Sequence, residues 1–465
     1  MSFYLELDEC LAPLQASLIG DVGENISVTG VSIDTRTLKP GDLYVAIVGE
    51  RFNGHEFVQA AKDAGAAAVM VHEDVQCDIA QLKVANTQTA LGQLGAFWAA
   101  RFSIPTIAIT GSNGKTTVKE MITCILQQIG PVLSTKGNLN NEIGVPLTLL
   151  SIRKEHLYAV VEMGANHAGE IARLVAMAKP DVALVTNIGT AHLEGFGSVQ
   201  GIANAKSEIY GGLKADGFGV INADDAYVDV MRSACSHCLT REFGRQETAD
   251  VYGLPGPQLQ ISTMRQQISP RFRLSGEHNL MNALAAVAAV QCIDVQFDSI
   301  VLGLESVSAV PGRLEKKQGA HGSLIIDDSY NANPDSMRSA IKVLAGYQGK
   351  RHLVLGDMAE LGDGAANFHH AIGEYALAQG IDGVWSHGEL SATAQAAFNA
   401  GSDRAPGNGA HFADQQALAD ALSAQLAEHV TVLVKGSRSA GMEHVVKLLQ
   451  VAEDNQSKPA SGASS

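Results

Sequence analysis

The chain has 465 residues, more than one hydrophobic core organises, so roughly two to four domains are expected. Hydrophobic residues make up 46% and charged residues 18%, an ordinary globular balance. The formal charge of −16, from 33 basic and 49 acidic residues, argues against nucleic-acid binding, which needs clustered Lys and Arg; a phosphorylated small substrate stays open, because one local cation or a set of backbone N–H groups can hold it. The first ten residues, MSFYLELDEC, lack the basic and apolar regions of a signal peptide. The longest apolar stretch, Leu280–Val290, is too short for a membrane span and is interrupted by Asn282. A cytoplasmic protein without membrane insertion is expected. Six cysteines in this length make no disulfide scaffold, and Cys235-x-x-Cys238 lacks the second ligand pair of a zinc site, so it reads as two unpaired thiols.

In chain order, residues 1–85 form the first block, with a turn-rich stretch around a short apolar strand (Leu43–Val48) and a second apolar run, AAAVMV. It reads as a small α/β domain whose Gly-rich loops either receive a polar ligand or only turn the chain. Residues 86–312 form a second block, in which PTIAIT, LYAVVEMG, DVALVTNIG and FGVINA alternate with helix-like segments, the rhythm of a parallel sheet covered by helices. Residues 313–455 repeat that rhythm through SLIIDDS, RHLVLGD, GVWSHG and TVLVKGS, a Rossmann-like doubly wound unit. Residues 456–465 are low-complexity and read as a disordered tail. The fold class is therefore α/β with three domains.

The strongest local signal is TGSNGKTT, Thr110–Thr117, between a short β run and a helical pattern. Gly111 and Gly114 permit backbone conformations closed to other residues, and Lys115 supplies a positive charge. Thr116 offers a hydroxyl for Mg²⁺, and Ser112, Asn113 and Thr117 complete a loop suited to phosphate. Val118, Met121, Ile122, Ile125, Leu126 and Ile129 mark the helix, which should stop at Gly130–Pro131. The strict phosphate-loop pattern would need Gly where this chain has Ile109, so the loop is a variant, and the guanine-selecting NKxD is absent.

Consecutive strand ends of a parallel sheet converge on one crevice, and three polar residues follow the loop in such places. Glu162 ends LYAVVEMG, as a Mg²⁺ ligand or as buried strand punctuation. His192 ends the following strand, in NIGTAHLEGFGS. Lys206 lies near the start of a helical segment, where a lone lysine normally meets solvent. In LSGEHNLMNALAA, His278, Asn279 and Asn282 could simply cap a helix. Arg313 sits in PGRLE at a domain junction, and LIIDDSYNANPDSM ends a strand in Asp327 and Asp328.

The loop TGSNGKTT resembles that of the Mur ligases and of folylpolyglutamate synthases. With SIDTR, FNGH, STKGNLNNEIGVP, EHNLMN, DDSYNANPDSM, VLGDMAELG and VKGSRSAGME in order over about residues 25–450, the chain resembles the Mur ligase family. The resemblance implies an ATP-dependent amide ligase working through an acyl phosphate, with Lys115, Glu162, His192 and Lys206 as its catalytic set. Two Mg²⁺ ions would lie among Thr116, Glu162, His192 and a carbamylated Lys206. It gives ATP to the loop residues Gly111–Thr117, with Asn279 at the adenine, Asp328 at the ribose and Arg313 nearby, and Asp327 orienting Arg313. It gives the substrate to Thr35, Arg36, Asn53, Gly54, His55, Thr135, Asn138, Asn140, Asn141, Tyr330 and Asn331. Asn53 stands where Asp is the commoner form. The segments from DDSYNANPDSM onward resemble family members that take UDP-N-acetylmuramoyl-tripeptide and D-Ala-D-Ala, so peptidoglycan precursor synthesis by a monomer is expected.

Overall fold

The computed structural model describes residues 3–20, 26–254, 259–274, 276–401 and 409–450. Residues 456–465, expected to form a disordered tail, lie outside the described residues. The chain divides into two compact units, one of Met1–Gly189, Gly195–Arg273 and Glu277–Val307, the other of Thr190–Glu194, Leu274–Gly276 and Ser308–Ser465.

The first unit holds two main sheets. The N-terminal one contains β1 (Ser17–Ile19), β2 (Gly30–Ser32), β3 (Asp42–Val45), β4 (Ala68–Val71) and β5 (Ala80–Lys83) in the order β1-β5-β4-β3-β2. Only the β1–β5 pair is antiparallel. Helix α1 (Thr87–Ala99) follows, its N-terminus capped by Asn86, whose side chain accepts the Thr89 N–H. One continuous apolar cluster runs from Leu43 and Met70 in this sheet through Leu91 and Trp98 of α1 to Ala108 and Val161 farther along the chain. A shared core of that kind explains why the two sheets form one unit.

The larger sheet comprises β6 (Thr106–Thr110), β7 (Val132–Ser134), β8 (Tyr158–Glu162), β9 (Val182–Val185), β10 (Phe218–Asn222), β11 (Leu239–Gly244), β12 (Val251–Leu254), β13 (Gln260–Thr263) and β14 (Gln267–Ile268). Its order is β14-β13-β12-β11-β10-β9-β6-β8-β7, parallel from β12 to β7. Strands β6 and β9 are buried along their whole length, as continuous apolar runs in a sheet covered on both faces should be. The chain passes from β8 across β6 to β9, so the loop after β6 stands at the point where the winding reverses. That loop leads into α2 (Lys115–Gln127), which buries Val118, Met121, Ile122, Ile125 and Leu126. Ile129, expected on the same stripe, falls beyond the helix end and is exposed. Helices α3 (Val199–Ser207) and α4 (Glu277–Gln291) complete the elements that bear on the site.

The second unit is a six-stranded sheet of β15 (Glu315–Gln318), β16 (Leu324–Asp328), β17 (Lys350–Leu355), β18 (Gly383–His387), β19 (His411–Phe412) and β20 (Val430–Lys435). The order is β15-β16-β20-β17-β18-β19, with only β15 antiparallel to its neighbour. Ile325 and Val354 face one apolar cluster while Ile326, Leu353 and Leu355 face the other, the period-two signature of a sheet with two buried faces. No helix among the described residues is long and apolar enough to cross a membrane.

Candidate active site

Strand β6 ends at Thr110 and turns at Gly111, where φ is 147° and an added Cβ would collide with Thr186 Oγ1. Gly114 caps α2 at φ 82°, with Asn282 Oδ1 of α4 lying where its Cβ would be. Glycine is required at both places by the close approach as well as by the dihedral. Lys115 opens the helix and folds back over the loop, its Nζ donating to the Gly111 carbonyl at 2.7 Å and reaching the Ser112 carbonyl at 3.4 Å. A cation and a helix N-terminus thus share one end of the loop, the arrangement that receives a phosphate. Thr116 is buried beside it.

Glu162 sits at the carboxyl end of β8 and is only 2% exposed. Asn140 Nδ2 donates to its Oε1 at 2.8 Å, and its own N–H donates to Thr135 Oγ1 at 2.9 Å. Its Oε2 is buried with no hydrogen-bond partner. Such an oxygen is costly unless something outside the chain satisfies it, and a carboxylate at a phosphate loop suits a hard divalent cation. Behind it, Lys119 Nζ donates to the Thr135 carbonyl at 2.8 Å, so α2, the Thr135 segment and β8 are tied in series. Lys119 was not among the sequence candidates, although a lysine one turn after Lys115 on an otherwise apolar face was a visible signal.

Lys206 is the penultimate residue of α3 rather than near a helix start, and it is 1% exposed, unlike a lone lysine that meets solvent. Its Nζ lies 5.5 Å from the centre of the Phe196 ring. Burial, helped by the nearby charge of Lys115, brings its pKa down to about 7. Much of it is therefore an uncharged amine near neutral pH.

His192 does not end a strand, since β9 stops at Val185 and His192 lies in a loop with φ 59°. Its segment, Thr190–Glu194, groups with the second unit. There Nδ1 pairs with the Glu360 carboxylate, which holds the Glu360 pKa below its usual value. Asp335 fixes the same segment, accepting the Thr190 N–H at 2.9 Å and its hydroxyl at 3.0 Å.

At the end of β16, Asp328 accepts the Leu314 N–H at 3.2 Å and Lys435 Nζ at 2.6 Å. Lys435 also donates to the Asn331 carbonyl at 2.9 Å. Asp327 pairs with Lys317 at 2.8 Å and accepts the Ser329 hydroxyl at 2.6 Å, so its carboxylate is spoken for by those groups and not by Arg313 as expected. The Arg313 guanidinium instead lies 4.3 Å over the Tyr330 ring. Asn331 Oδ1 accepts the next N–H, from Ala332.

The remaining candidates divide by what their polar atoms already do. Asn279 is buried on α4 and accepts from Asn282 Nδ2 at 3.1 Å. Asn141 Oδ1 accepts the Ile143 and Gly144 N–H groups, a helix-capping role, while Asn138 is exposed. Asn53 accepts the backbone N–H of His55 at 3.0 Å and meets its Nδ1 at 2.8 Å, so the Asn at this position closes the Gly54–His55 turn itself. His55 Nε2 accepts the His72 N–H at 3.0 Å. With Glu73 these histidines form a three-ligand cluster, yet both ring nitrogens of His55 are already committed, which favours a structural pin over a metal site. Thr35 and the well-exposed Arg36 lie on the loop after β2, where Arg36 pairs with Asp34 at 2.6 Å. Cys235 and Cys238 are free thiols.

Comparison with known proteins bears on all of these elements. Residues 27–98 match the model described as "Mur ligase family, catalytic domain", residues 109–290 the "Mur ligase middle domain" and residues 312–438 the "Mur ligase, glutamate ligase domain". The UDP-N-acetylmuramoyl-tripeptide–D-alanyl-D-alanine ligase of Escherichia coli (strain K12) is 44% identical over 450 residues, covering 95% of this chain and 98% of that one. A crystal structure of MurF from Acinetobacter baumannii superposes with a TM-score of 0.89 at 36% identity, over 96% of this chain and 99% of that one. MurF from Thermotoga maritima in complex with ADP follows at TM-score 0.81 and 29% identity, over 90% and 96%. On its motifs, its fold and its likeness to these proteins over almost its whole length, the chain belongs to the Mur ligase family.

Proposed function

We propose that the protein is an ATP-dependent ligase that joins D-Ala-D-Ala to the terminal carboxylate of UDP-N-acetylmuramoyl-tripeptide, giving UDP-muramyl-pentapeptide, ADP and phosphate in peptidoglycan precursor synthesis. In this reading residues 1–85 receive the UDP-muramyl group, residues 86–312 carry the phosphate loop, and residues 313–455 form the C-terminal ligase domain. The enzyme acts as a monomer in the cytoplasm. The observation that carries the phosphoryl-transfer part of this reading is the buried Oε2 of Glu162, without a hydrogen-bond partner in the same unit as the phosphate loop.

The terminal carboxylate of the tripeptide attacks the γ-phosphorus of ATP, and ADP leaves. The amine of D-Ala-D-Ala then attacks the acyl phosphate, loses a proton, and expels phosphate as the amide forms. Lys115 swings from its loop carbonyls onto the transferring phosphoryl group, placing its charge where negative charge is shared among the oxygens. Glu162 and the Thr116 hydroxyl, with His192 and a modified Lys206, would hold two Mg²⁺ ions. When bound, Mg²⁺ offsets phosphate charge that one lysine cannot. The Lys206 amine, neutral in good part near pH 7, adds to carbon dioxide with loss of one proton, turning a buried uncharged amine into an anionic carbamate. Asp328 keeps acceptor capacity for ribose hydroxyls beyond its two present donors. Asn279 serves the adenine and Arg313 the phosphate or ribose of the nucleotide, while Tyr330 and Asn331 serve the substrate.

Phosphate release from ATP by the purified protein tests the assignment. It should require both UDP-N-acetylmuramoyl-tripeptide and D-Ala-D-Ala and vanish in Lys115→Ala. Release driven equally well by a folate and glutamate would overturn it.

A further inference from the structure

The phosphate loop is held from outside by the end of β9. Asn187 Oδ1 accepts the Asn113 N–H at 2.9 Å, and Asn187 Nδ2 donates to the Asn113 carbonyl at 3.0 Å. The Thr186 hydroxyl donates to that same carbonyl at 2.6 Å. One residue earlier, the Ser112 N–H donates to the Asn187 carbonyl at 2.9 Å, while Ser112 Oγ bonds the Gly189 N–H at 2.9 Å. Asn113 therefore has its backbone donor and acceptor both occupied, and Ser112 its backbone donor. Gly111 has no side chain to keep Thr186 from this contact.

The segment that makes these contacts is itself braced. Asn222 Nδ2, at the end of β10, donates to the Thr186 carbonyl at 3.0 Å. The Ile188 N–H donates to Asp225 Oδ2 at 2.7 Å, and Asp225 is anchored in turn by the Tyr227 N–H at 2.9 Å. A loop bent through positive φ at Gly111 and Gly114 is not rigid by itself. Here a side-chain amide pairs with both the N–H and the C=O of one loop residue, Asn113, as a strand partner would.

We propose that Asn187, with Thr186, is a positioning residue for the reaction: the pair fixes the Ser112–Asn113 half of the loop. That half then serves as frame, and anion recognition falls to the Gly114–Thr117 end at the start of α2. Neither side chain touches nucleotide in this assignment; both act through the backbone N–H and C=O of Asn113. The inference rests on reading this loop as the ATP-phosphate site.

Direct binding of MgADP to the full-length protein, with melting temperatures in parallel, tests it. Thr186→Val removes the hydroxyl at nearly constant volume and should weaken MgADP affinity by about fivefold to tenfold, the worth of one hydrogen bond acting through loop placement. Thr186→Ser keeps the donor and should recover most of that loss. Asn187→Ala should weaken affinity and raise KM for ATP by about tenfold or more, with the KM of each other substrate little changed. If Thr186→Val and Thr186→Ser bind alike, or Asn187→Ala lowers the melting temperature while nucleotide affinity of the folded protein holds, the pair is structural only and the proposal is wrong. Should Asn187→Ala fail to fold, the two Thr186 variants still decide. A wild-type protein that binds MgADP yet forms no amide product would count against the ligase assignment and leave this test intact.

Discussion

Both units place charged residues at the carboxyl ends of parallel strands, but they treat the charge differently. In the second unit Asp328 meets Lys435 and Asp327 meets Lys317, each within 2.8 Å, with backbone and hydroxyl donors supplying further bonds. In the first, Glu162 keeps one buried oxygen without a partner, and Lys206 is buried with its charge opposed by Lys115. A folded chain can compensate its own buried charges, as the second sheet demonstrates. Incomplete compensation beside a phosphate loop is the pattern by which a ligand site differs from a structural ion pair.

The contrast can be broken by substitution, and the largest effect is expected at Lys115. Lys115→Ala should cut phosphate release by about a thousandfold or more, because its charge at the loop is the one placed for the transferring phosphoryl group. Glu162→Gln should lower kcat by about a hundredfold and raise the Mg²⁺ concentration needed, while stability holds or improves as an uncompensated charge is removed. Loss of stability with activity retained would place Glu162 in the same class as Asp328.

Asp328→Asn is the matching experiment in the second unit. Leaving the Lys435 ammonium buried and unpaired should cost about 3–5 kcal/mol in denaturant unfolding. Lys435→Met in the same chain should recover much of it, a coupling that a double-mutant cycle measures. Independent losses that simply add would mean the pair is not a unit.

A buried titrating group there gives a pH signature. Burial lowers the His352 pKa from 6.5 to about 4, so the folded state favours the neutral ring. The stability this ring contributes is fully present above pH 6.5 and is lost as pH falls through about 4. Its Nδ1 accepts from Trp385 Nε1, so His352→Asn keeps an acceptor and should flatten the stability profile between those values. An unchanged acid slope would shift the responsibility elsewhere. The smallest effect is expected from Arg232→Ala: its pairing with Glu242 is well exposed, and the change should stay within about 1 kcal/mol.

Much of this protein was legible in one dimension. The apolar runs forecast β6, β8, β9, β10 and, in the second unit, β16, β17, β18 and β20, and the glycine spacing with Lys115 marked the phosphate loop, because strand burial and positive φ are local demands on residue type. Glu162 and Asp328 were found at strand ends because the polar residue closing an apolar run is itself a local signal. Lys206 was placed on the wrong end of its helix, since α3 starts at a Ser198 cap that the apolar pattern does not announce. His192 was put on a strand end that stops seven residues earlier.

Composition, order of motifs and strand pattern were enough to reach the family, the α/β class and the kind of chemistry. They could not say which charges are neutralised. Asp328 and Lys435 are 107 residues apart, Asn113 and Asn187 are 74, and Thr135 and Glu162 are 27. Compensation is a property of neighbours in space, and only the fold brings these pairs together. The orphaned oxygen of Glu162, the buried amine of Lys206 and the amide that grips the phosphate loop all come from that assembly.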